Sequence, residues 1–255
     1  MAGKVFFSVS MSLDGFIAPE GRMGDPDWMA QWMELQQWVF PQRFFRENLK
    51  LGEGGEEGRD NDIMRQTFER TGASVMGKRM FELGERAWPE EAPFHTPVFV
   101  VTHEKRDRWE RPGGTTFHFV NDGIETALDR AREAAGDRDV RIAGGGATIL
   151  EYVNAGLIYE FGVALSPVLF GSGIRLFEGV DADRVALELI RAEPTQRVTH
   201  RPTPSGRGNC LDLRARRADL TKGVIRLFTL ADGGSRFADP PYGLVPEQPI
   251  HKIYV

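Results

Sequence analysis

The chain has 255 residues, of which 41% are hydrophobic and 27% charged, a balance typical of a globular protein with a sizeable core. Its formal net charge of −5 argues against nucleic acid as the main partner, because neutralising phosphates requires a basic face. The single cysteine, Cys210, forms neither an internal disulfide nor a multi-thiolate site, so we predict no metal and no thiol redox chemistry.

Strands and helices are predicted to alternate along the chain. Runs of β-branched and aromatic residues indicate strands, and apolar residues repeating every three or four positions indicate amphipathic helices. The expected strands span residues 4–12, 73–76, 97–102, 140–143, 158–165, 175–177 and 223–230. The expected helices span residues 28–51, with a break at Pro41 left open, 62–70, a segment capped by Asn121 or Asp122, and 147–155, while 185–193 fits either element. Such alternation predicts an α/β fold, with helices on both faces of a mostly parallel sheet.

A run of three glycines, Gly144 to Gly146, lies between a predicted strand and a predicted helix. Without a Cβ, these residues let backbone N–H groups approach a phosphate, and the following helix adds positive charge at its N-terminus. The run matches neither the spaced dinucleotide fingerprint nor the P-loop. A tight strand-to-helix turn that serves packing alone explains it equally well.

Two further strand ends carry polar and basic residues. Gly77, Lys78 and Arg79 directly follow one predicted strand, and the segment from Thr102 to Arg106 (THEKR) follows another. The carboxyl ends of strands in an open α/β sheet form the edge where ligands bind. The three strand ends therefore predict a site for an anionic ligand, while a solvated helix start remains the alternative for Lys78 and Arg79.

These pieces, in this order, resemble the dihydrofolate reductase superfamily, and more closely the reductase domain of the bifunctional deaminase-reductase of riboflavin synthesis and its free-standing relatives. The resemblance covers roughly residues 4–200. The matching segments are SLDGFIA (12–18), VMGKRMFE (75–82), VVT (100–102), IAGGG (142–146) and SPVLFGSG (166–173) followed by LF (176–177). The resemblance implies a dihydrofolate-reductase-like three-layer fold with a twisted, mainly parallel sheet.

The resemblance also implies bound NADPH. Diphosphate contacts fall on Gly77, Lys78, Arg79 and Met80, and 2′-phosphate contacts on Thr102, His103 and Lys105. The other phosphate and ribose contacts fall on Ala143, Gly144, Gly145, Gly146, Ala147 and Thr148, and the nicotinamide borders on Ser10, Ile17 and Ala18. Two cations near the 2′-phosphate favour NADPH over NADH, because no acidic residue suited to a free 2′-hydroxyl is evident.

The catalytic candidates are two acids. Folate reductases carry a carboxylate on the helix before the Met-Gly strand, and counting back from Gly77 leads to the stretch Asp60-Asn61-Asp62, from which we select Asp62 as proton donor. The alternative interpretation is that Asp62 is simply an acidic residue at the N-terminus of a helix, where the helix dipole favours a negative charge. Asp14 matches an acidic position of the riboflavin-type reductases and also fits a simple Asp-Gly turn.

The expected domain organisation is a reductase domain over residues 1–200 with a helical insertion at about 28–60, followed by an atypical Pro/Gly-rich extension over 201–255. Residues 52–60 lack apolar side chains and predict an exposed, mobile loop. Trp28, Trp32 and Trp38 could roof a flat substrate or belong to the core. His95, His118, His200 and His251 receive no role.

The predicted function is an NADPH-dependent reductase that transfers hydride to a small heterocycle, either pteridine-like or a ribosylated aminopyrimidine. The alternative is a nucleotide-binding protein of the same fold without turnover. No leader pattern and no apolar run of about 20 residues is evident, so we expect a cytoplasmic protein with no membrane partner. We expect a homodimer.

Overall fold

The computed structural model describes residues 3–181, 185–188, 192–201 and 223–226. The strands are β1 (Val5–Ser12), β2 (Phe16–Pro19), β3 (Thr71–Gly77), β4 (Pro97–Val101), β5 (Trp109–Glu110), β6 (Thr116–Val120), β7 (Asp139–Gly144), β8 (Glu160–Ser166), β9 (Gly173–Arg175), β10 (Val185–Glu188), β11 (Glu193–Pro194), β12 (Thr199–Arg201) and β13 (Gly223–Arg226). The helices are α1 (Pro26–Leu35), α2 (Arg43–Asn48), α3 (Arg59–Arg70), α4 (Lys78–Ala87), α5 (Gly123–Ala135) and α6 (Gly146–Asn154).

Most strands of the described residues form one mixed sheet with the order β10-β13-β8-β1-β7-β3-β4-β6-β5. From β13 through β6 every neighbouring pair on this path is parallel, and β5 closes one edge antiparallel to β6. The antiparallel strand β12 also pairs with β8. β1 lies between β7 and β8, which explains its apolar and aromatic composition, since a central parallel strand is covered on both faces. The predicted mostly parallel α/β fold is confirmed.

Helices cover both faces of the sheet. One face packs against α5 and α6 in a core that includes Phe7, Ile142 and Tyr152. The opposite face carries α4 at one side, over an aromatic core around Phe81 and Phe117. Because side chains alternate along a strand, Phe6, Ser8 and Ser10 of β1 point to this second face.

The segment from 28 to 60 forms α1, α2 and an exposed loop beside β1 and β8. A single helix over 28–51 is wrong, because α1 ends at Leu35 and the turns that follow lead to α2 at Arg43. Pro41 lies six residues after the end of α1, so its missing N–H excludes a helix that continues through residue 41 but does not set where α1 ends. Trp38 belongs to a small core with Met64, Ala164 and Val198, and therefore packs between this segment and the sheet.

Two differences concern strands. Residues 116–120 form β6, which the sequence patterns did not predict although Phe117 and Val120 are fully buried on its two faces. β2, for which no strand was predicted, pairs in a separate two-stranded ribbon with β9, which overlaps the predicted strand 175–177 at Arg175. Of the predicted extension 201–255, the structure describes Arg201 and β13, and the rest lies outside the described residues. In the described part, no helix is long and apolar enough to cross a membrane.

Candidate nucleotide-binding site

The three predicted strand ends meet at one edge of the sheet. β3 pairs in parallel register with both β7 and β4, so that Met76 lies opposite Gly144 and Gly77 lies opposite Val101. The turns after these three strands therefore start at the same level. This arrangement confirms that the glycine run and the two basic segments share one edge.

The turns after β3 and β7 are in direct contact. A Cβ built on Gly77 would lie 2.3 Å from Thr148 Oγ1, and one built on Gly144 would lie 2.9 Å from Met80 Sδ. Gly144 also has a φ of +131°, in the region that favours glycine. These two glycines therefore allow α4 and α6 to begin side by side.

The N-terminus of α6 opens at this edge. Gly145 is its N-cap residue and has no side-chain cap, so the amides of the first turn lack intrahelical acceptors. A Cβ on Gly145 would meet no atom within 4 Å, whereas one on Gly146 would meet Ile174 at 2.9 Å and Ile17 at 3.1 Å. Open space above Gly145 and free amides are what an approaching anion requires. Ile17 flanks the same helix start, and its contact with a nicotinamide stays a prediction.

The two cations at the start of α4 differ in their surroundings. The Lys78 ammonium pairs with the carboxylates of Glu104 and Glu82, and its hydrogen bond to Glu104 raises the pKa of Lys78 above its ordinary value. Arg79 is exposed and makes no ion pair with any described residue. Arg79 is therefore the cation of this pair available to a ligand, while a phosphate would compete with Glu104 for Lys78.

The turn after β4 is fixed by Thr102. Its side chain is buried, and its hydroxyl accepts a hydrogen bond from the Glu104 backbone N–H at 3.0 Å. Asn121 Nδ2 donates to the carbonyl oxygens of both Thr102 and Glu104. His103 and Lys105 are exposed on this turn. Thr102 therefore stabilises the turn, whereas the side chains of His103 and Lys105 lie at the surface.

Ser10 belongs to β1 and is buried beneath the inserted segment 28–60. Its hydroxyl accepts a hydrogen bond from Trp38 Nε1 at 2.9 Å and donates one to Gln36 Oε1 at 2.8 Å. Ala18 in β2 and Ala143 in β7 are also buried, and Ala147 is exposed in the first turn of α6. Of the predicted contacts, Gly77, Met80, Gly144, Gly146, Thr148 and Ile17 are brought together, whereas Ser10 is tied to Trp38.

The Asp14 carboxylate holds a neighbouring turn. It accepts hydrogen bonds from Ser12 Oγ at 2.6 Å and from the backbone N–H of Gly171 at 2.7 Å, with a further one from Phe170. Burial alone would raise the pKa of Asp14, but these hydrogen bonds outweigh it and hold the pKa below its ordinary value. Asp14 is therefore an ionised clamp on the turn that leads to β9. A catalytic role for it stays a prediction.

Of the three residues at 60–62, Asp60 and not Asp62 is the buried acid. Asp62 lies exposed in the first turn of α3, and a role as proton donor stays a prediction. Asp60 is buried, and its Oδ1 lies 2.5 Å from His200 Nε2. The His200 ring packs edge-on against Trp38 with 4.8 Å between ring centroids.

The sequence patterns missed the partnership of Asp60 and His200. The two residues are 140 positions apart, and α3 and β12 bring them together only in the fold. The presence of two acids in one short stretch was the available signal. Helical spacing alone cannot show which of the two acids faces the protein interior. The predicted helix begins at residue 62, whereas α3 begins at Arg59 after the N-cap residue Gly58 and so includes both acids.

The fold and this edge define an α/β protein in which two helices begin side by side at glycine turns. The chain belongs to the family described as RibD C-terminal domain, whose model matches residues 3–200. The matched span ends at His200, so it contains the whole of the site described above.

Two curated relatives and one solved structure are similar to this chain. The Bacillus subtilis (strain 168) protein YyaP, of uncharacterised function, is 24% identical over 193 residues, covering 73% of this chain and 86% of its own length. YwjB of the same organism, also uncharacterised, is 23% identical over 177 residues, covering 69% and 84%. A structure described as a riboflavin biosynthesis protein from Shewanella sp. PV-4 superposes with a TM-score of 0.51 at 21% identity, covering 77% of this chain and 96% of its own. The structural likeness supports the fold.

Proposed function

We propose that the protein is an NADPH-dependent reductase that transfers hydride to a small heterocyclic substrate, pteridine-like or a ribosylated aminopyrimidine. The observation that carries the proposal is the joint start of α4 and α6, where Gly77 lies against Thr148 and open space lies above Gly145. Membership of the RibD C-terminal domain family supports a reductase of the riboflavin-pathway or dihydrofolate type.

The residues at this edge fit a dinucleotide phosphate. A Cβ at Gly77 would collide with Thr148, and one at Gly144 would collide with Met80. The close approach of the two turns therefore requires glycine at both positions. The uncapped N-terminus of α6 supplies backbone donors, and Arg79 supplies an uncompensated cation. When bound, NADPH would supply the hydride, while the chain orients the nicotinamide and excludes water.

Asp60 is the acid that we propose to hold the proton for this reaction. The carboxylate is buried on α3, next to the strand face that carries Ser10, and His200 Nε2 lies 2.5 Å from it. A hydrogen-bonded His–Asp pair holds one proton between two groups and fixes the orientation of both. Asp62, in contrast, faces solvent. Replacing Asp60 with Asn should reduce turnover while leaving the affinity for NADPH unchanged, and Asp62→Asn serves as the matched control.

The decisive experiment titrates the purified protein with NADPH and with NADH, followed by nicotinamide fluorescence and thermal melting. A nucleotide present at about 100 times its Kd should stabilise the fold by about 2.7 kcal/mol. We expect stabilisation by NADPH at lower concentration than by NADH. Lack of stabilisation by both nucleotides would overturn the proposal.

Turnover distinguishes a reductase from a binding protein of the same fold. The loss of NADPH absorbance is measured with dihydrofolate and separately with the aminopyrimidine of riboflavin synthesis. Oxidation dependent on either substrate identifies the reductase and its substrate class. NADPH binding with no oxidation in a broader panel of pteridines and pyrimidines would favour the non-catalytic alternative.

A further inference from the structure

Arg141 lies in the middle of the sheet, on the face covered by α3. Its neighbours Val140 and Ile142 belong to the core beneath α5 and α6, so the alternation of side chains turns Arg141 to the opposite face. The guanidinium accordingly lies over the Phe68 ring of α3, 5.3 Å from its centroid. Strand register places Phe6 of β1 and Ser74 of β3 on either side of it.

This cation has no anionic partner. Among the described residues, its guanidinium forms no ion pair and no hydrogen bond, and its Nε is buried without an acceptor. The nearby carboxylate of Asp139, two residues earlier on β7, is bound by Arg70 and by the backbone N–H of Lys4. Burial, with no opposing charge, lowers the pKa of Arg141 to about 10, and the group remains charged at neutral pH.

An unpaired buried cation is costly for the fold. Burial of a charged group without a partner destabilises the folded state, and a contact with a phenyl ring recovers only part of this cost. Arg70, whose guanidinium lies over the Phe6 ring on the same face, is in contrast paired with both Asp139 and Glu160. A packing role would be served as well by an apolar side chain of similar length.

Arg141 shares its face of the sheet with two serines. The side chain is partly exposed, although its Nε is buried. Ser74 and Ser8 point to the same face, and neither hydroxyl has a hydrogen-bond partner in the described part of the chain. Ser10, predicted at the nicotinamide border, and Ala143, predicted among the phosphate and ribose contacts, follow two residues after Ser8 and Arg141 on the same face.

We propose that Arg141 is the specificity-determining anchor of the substrate pocket, where its guanidinium binds an oxyanion carried by the heterocyclic substrate. Ser8 and Ser74 supply hydroxyl donors beside it. The inference deepens the proposed reductase function and rests on it for the heterocycle. A guanidinium binds carboxylate and phosphate oxygens with the same paired N–H donors, so both sources of the oxyanion share this chemistry.

The test measures the affinity of three pyrimidines for the protein by calorimetry, with and without NADPH. Uracil is the neutral probe, orotate carries a ring carboxylate, and uridine 5′-phosphate carries a phosphate. We expect at least one anion to bind the wild type about 10-fold or more tightly than uracil, and Arg141→Gln to abolish that advantage. Tight binding of orotate identifies a ring carboxylate as the preferred oxyanion, and tight binding of uridine 5′-phosphate identifies a phosphate.

Controls separate recognition from folding. Arg141→Lys should retain part of the preference, and Arg130→Gln, an exposed change on α5 at the other face of the sheet, should retain all of it. Arg141→Gln and Arg141→Met should melt at or above the wild-type temperature, because they remove an uncompensated buried charge. If Arg141 instead served to stabilise the fold, both variants would melt below the wild-type temperature.

The inference is overturned if neither anion binds the wild type more tightly than uracil, or if Arg141→Gln leaves the preference intact. Its failure is distinguishable from failure of the proposed function. If NADPH does not bind, the reductase proposal fails, and the titrations without NADPH still decide whether Arg141 binds an oxyanion. If NADPH binds and the anion preference is absent, the reductase proposal stands without this anchor.

Discussion

The two neighbouring cations of α4 give a prediction at the scale of single residues. Because Glu104 and Glu82 already compensate Lys78, a phosphate gains less from Lys78 than from the unpaired Arg79. Arg79→Ala should therefore weaken NADPH binding more than Lys78→Ala, by about 10-fold, the effect of one charge-assisted hydrogen bond. Fluorescence titration of both variants measures the difference.

Glu104 supplies the matched control for this pair. Glu104→Gln removes the main competitor for Lys78 and should tighten NADPH binding, provided that the turn keeps its hydrogen bonds from Asn121. The same change should have no effect in a Lys78→Ala background. Equal losses from Lys78→Ala and Arg79→Ala would contradict this account.

Single residues also mark the limit of sequence-based reasoning about the site. The glycines were predictable, because absence of a Cβ is a property of the residue itself and the strand ends bring Gly77 and Gly144 together. The pairing of Lys78 with Glu104 was not predictable, since it depends on how two turns from different strands approach each other. The partner of Asp60 was hidden for the same reason, 140 residues along the chain.

At the scale of elements, the contact between β3 and α6 can be tested by a double-mutant cycle. Gly77→Ala would put a methyl group 2.3 Å from Thr148 Oγ1, whereas the Thr148 Cβ lies at 3.5 Å, an ordinary contact distance. Gly77→Ala alone should cost about 1 to 3 kcal/mol of unfolding free energy. In a Thr148→Ala background most of this cost should disappear, giving a coupling of about 1 kcal/mol or more. Chemical denaturation of the four proteins measures the coupling, and additive effects would show that the two elements are not in contact.

Asp14 joins two turns, and its contribution should depend on pH. Its pKa is lowered in the folded state from the ordinary 3.8, so its stabilising effect is present above that value and is lost as pH falls through the folded pKa. At pH 7, Asp14→Ala should destabilise the fold by about 1 kcal/mol, a modest figure because the carboxylate is partly solvated. The difference from wild type should vanish at the acid end of a melting series.

The exposed Asp137 provides the control for Asp14. Asp137→Ala removes the same charge from a residue without a partner among the described ranges, and should leave the melting temperature unchanged at every pH. A loss for Asp14→Ala that persists unchanged to the acid end of the series would show that its carboxylate acts through shape and not through its charge. Elements such as β2 and β9, which this clamp brings together, were less predictable than the long buried strands because their pairing depends on contacts between turns.

At the scale of the whole molecule, the order of strands and helices was predictable because parallel strands buried on both faces have nearly continuous apolar sequences. β4 follows this pattern directly. β6 did not, because Thr116 and His118 interrupt its apolar residues. The break between α1 and α2 depends on how the inserted segment packs on β1 and β8, which no local pattern records.

An ion network that stabilises the fold lies at one edge of the sheet, and the proposed binding site lies at the opposite edge. At the amino ends of the strands, Glu160 is completely buried and pairs with Arg70 at 2.6 Å and Lys4 at 3.3 Å, and Arg70 also binds Asp139. These residues join β1, β3, β7 and β8 at the edge opposite the glycine turns. Glu160→Gln should therefore lower the unfolding free energy by about 2 to 3 kcal/mol, because it leaves buried cations only partly compensated.

The affinity for NADPH should not change in the same variant, since no residue of this ion network reaches the other edge. Glu110→Gln is the matched control, because its pair with Arg108 at 3.0 Å is largely exposed and its loss should cost less than about 0.5 kcal/mol. Denaturation and NADPH titration are measured on the same samples. If Glu160→Gln weakened NADPH binding as strongly as it weakened the fold, the two edges would be coupled through β1 and β7, and the strands would transmit strain from the ion network to the glycine turn.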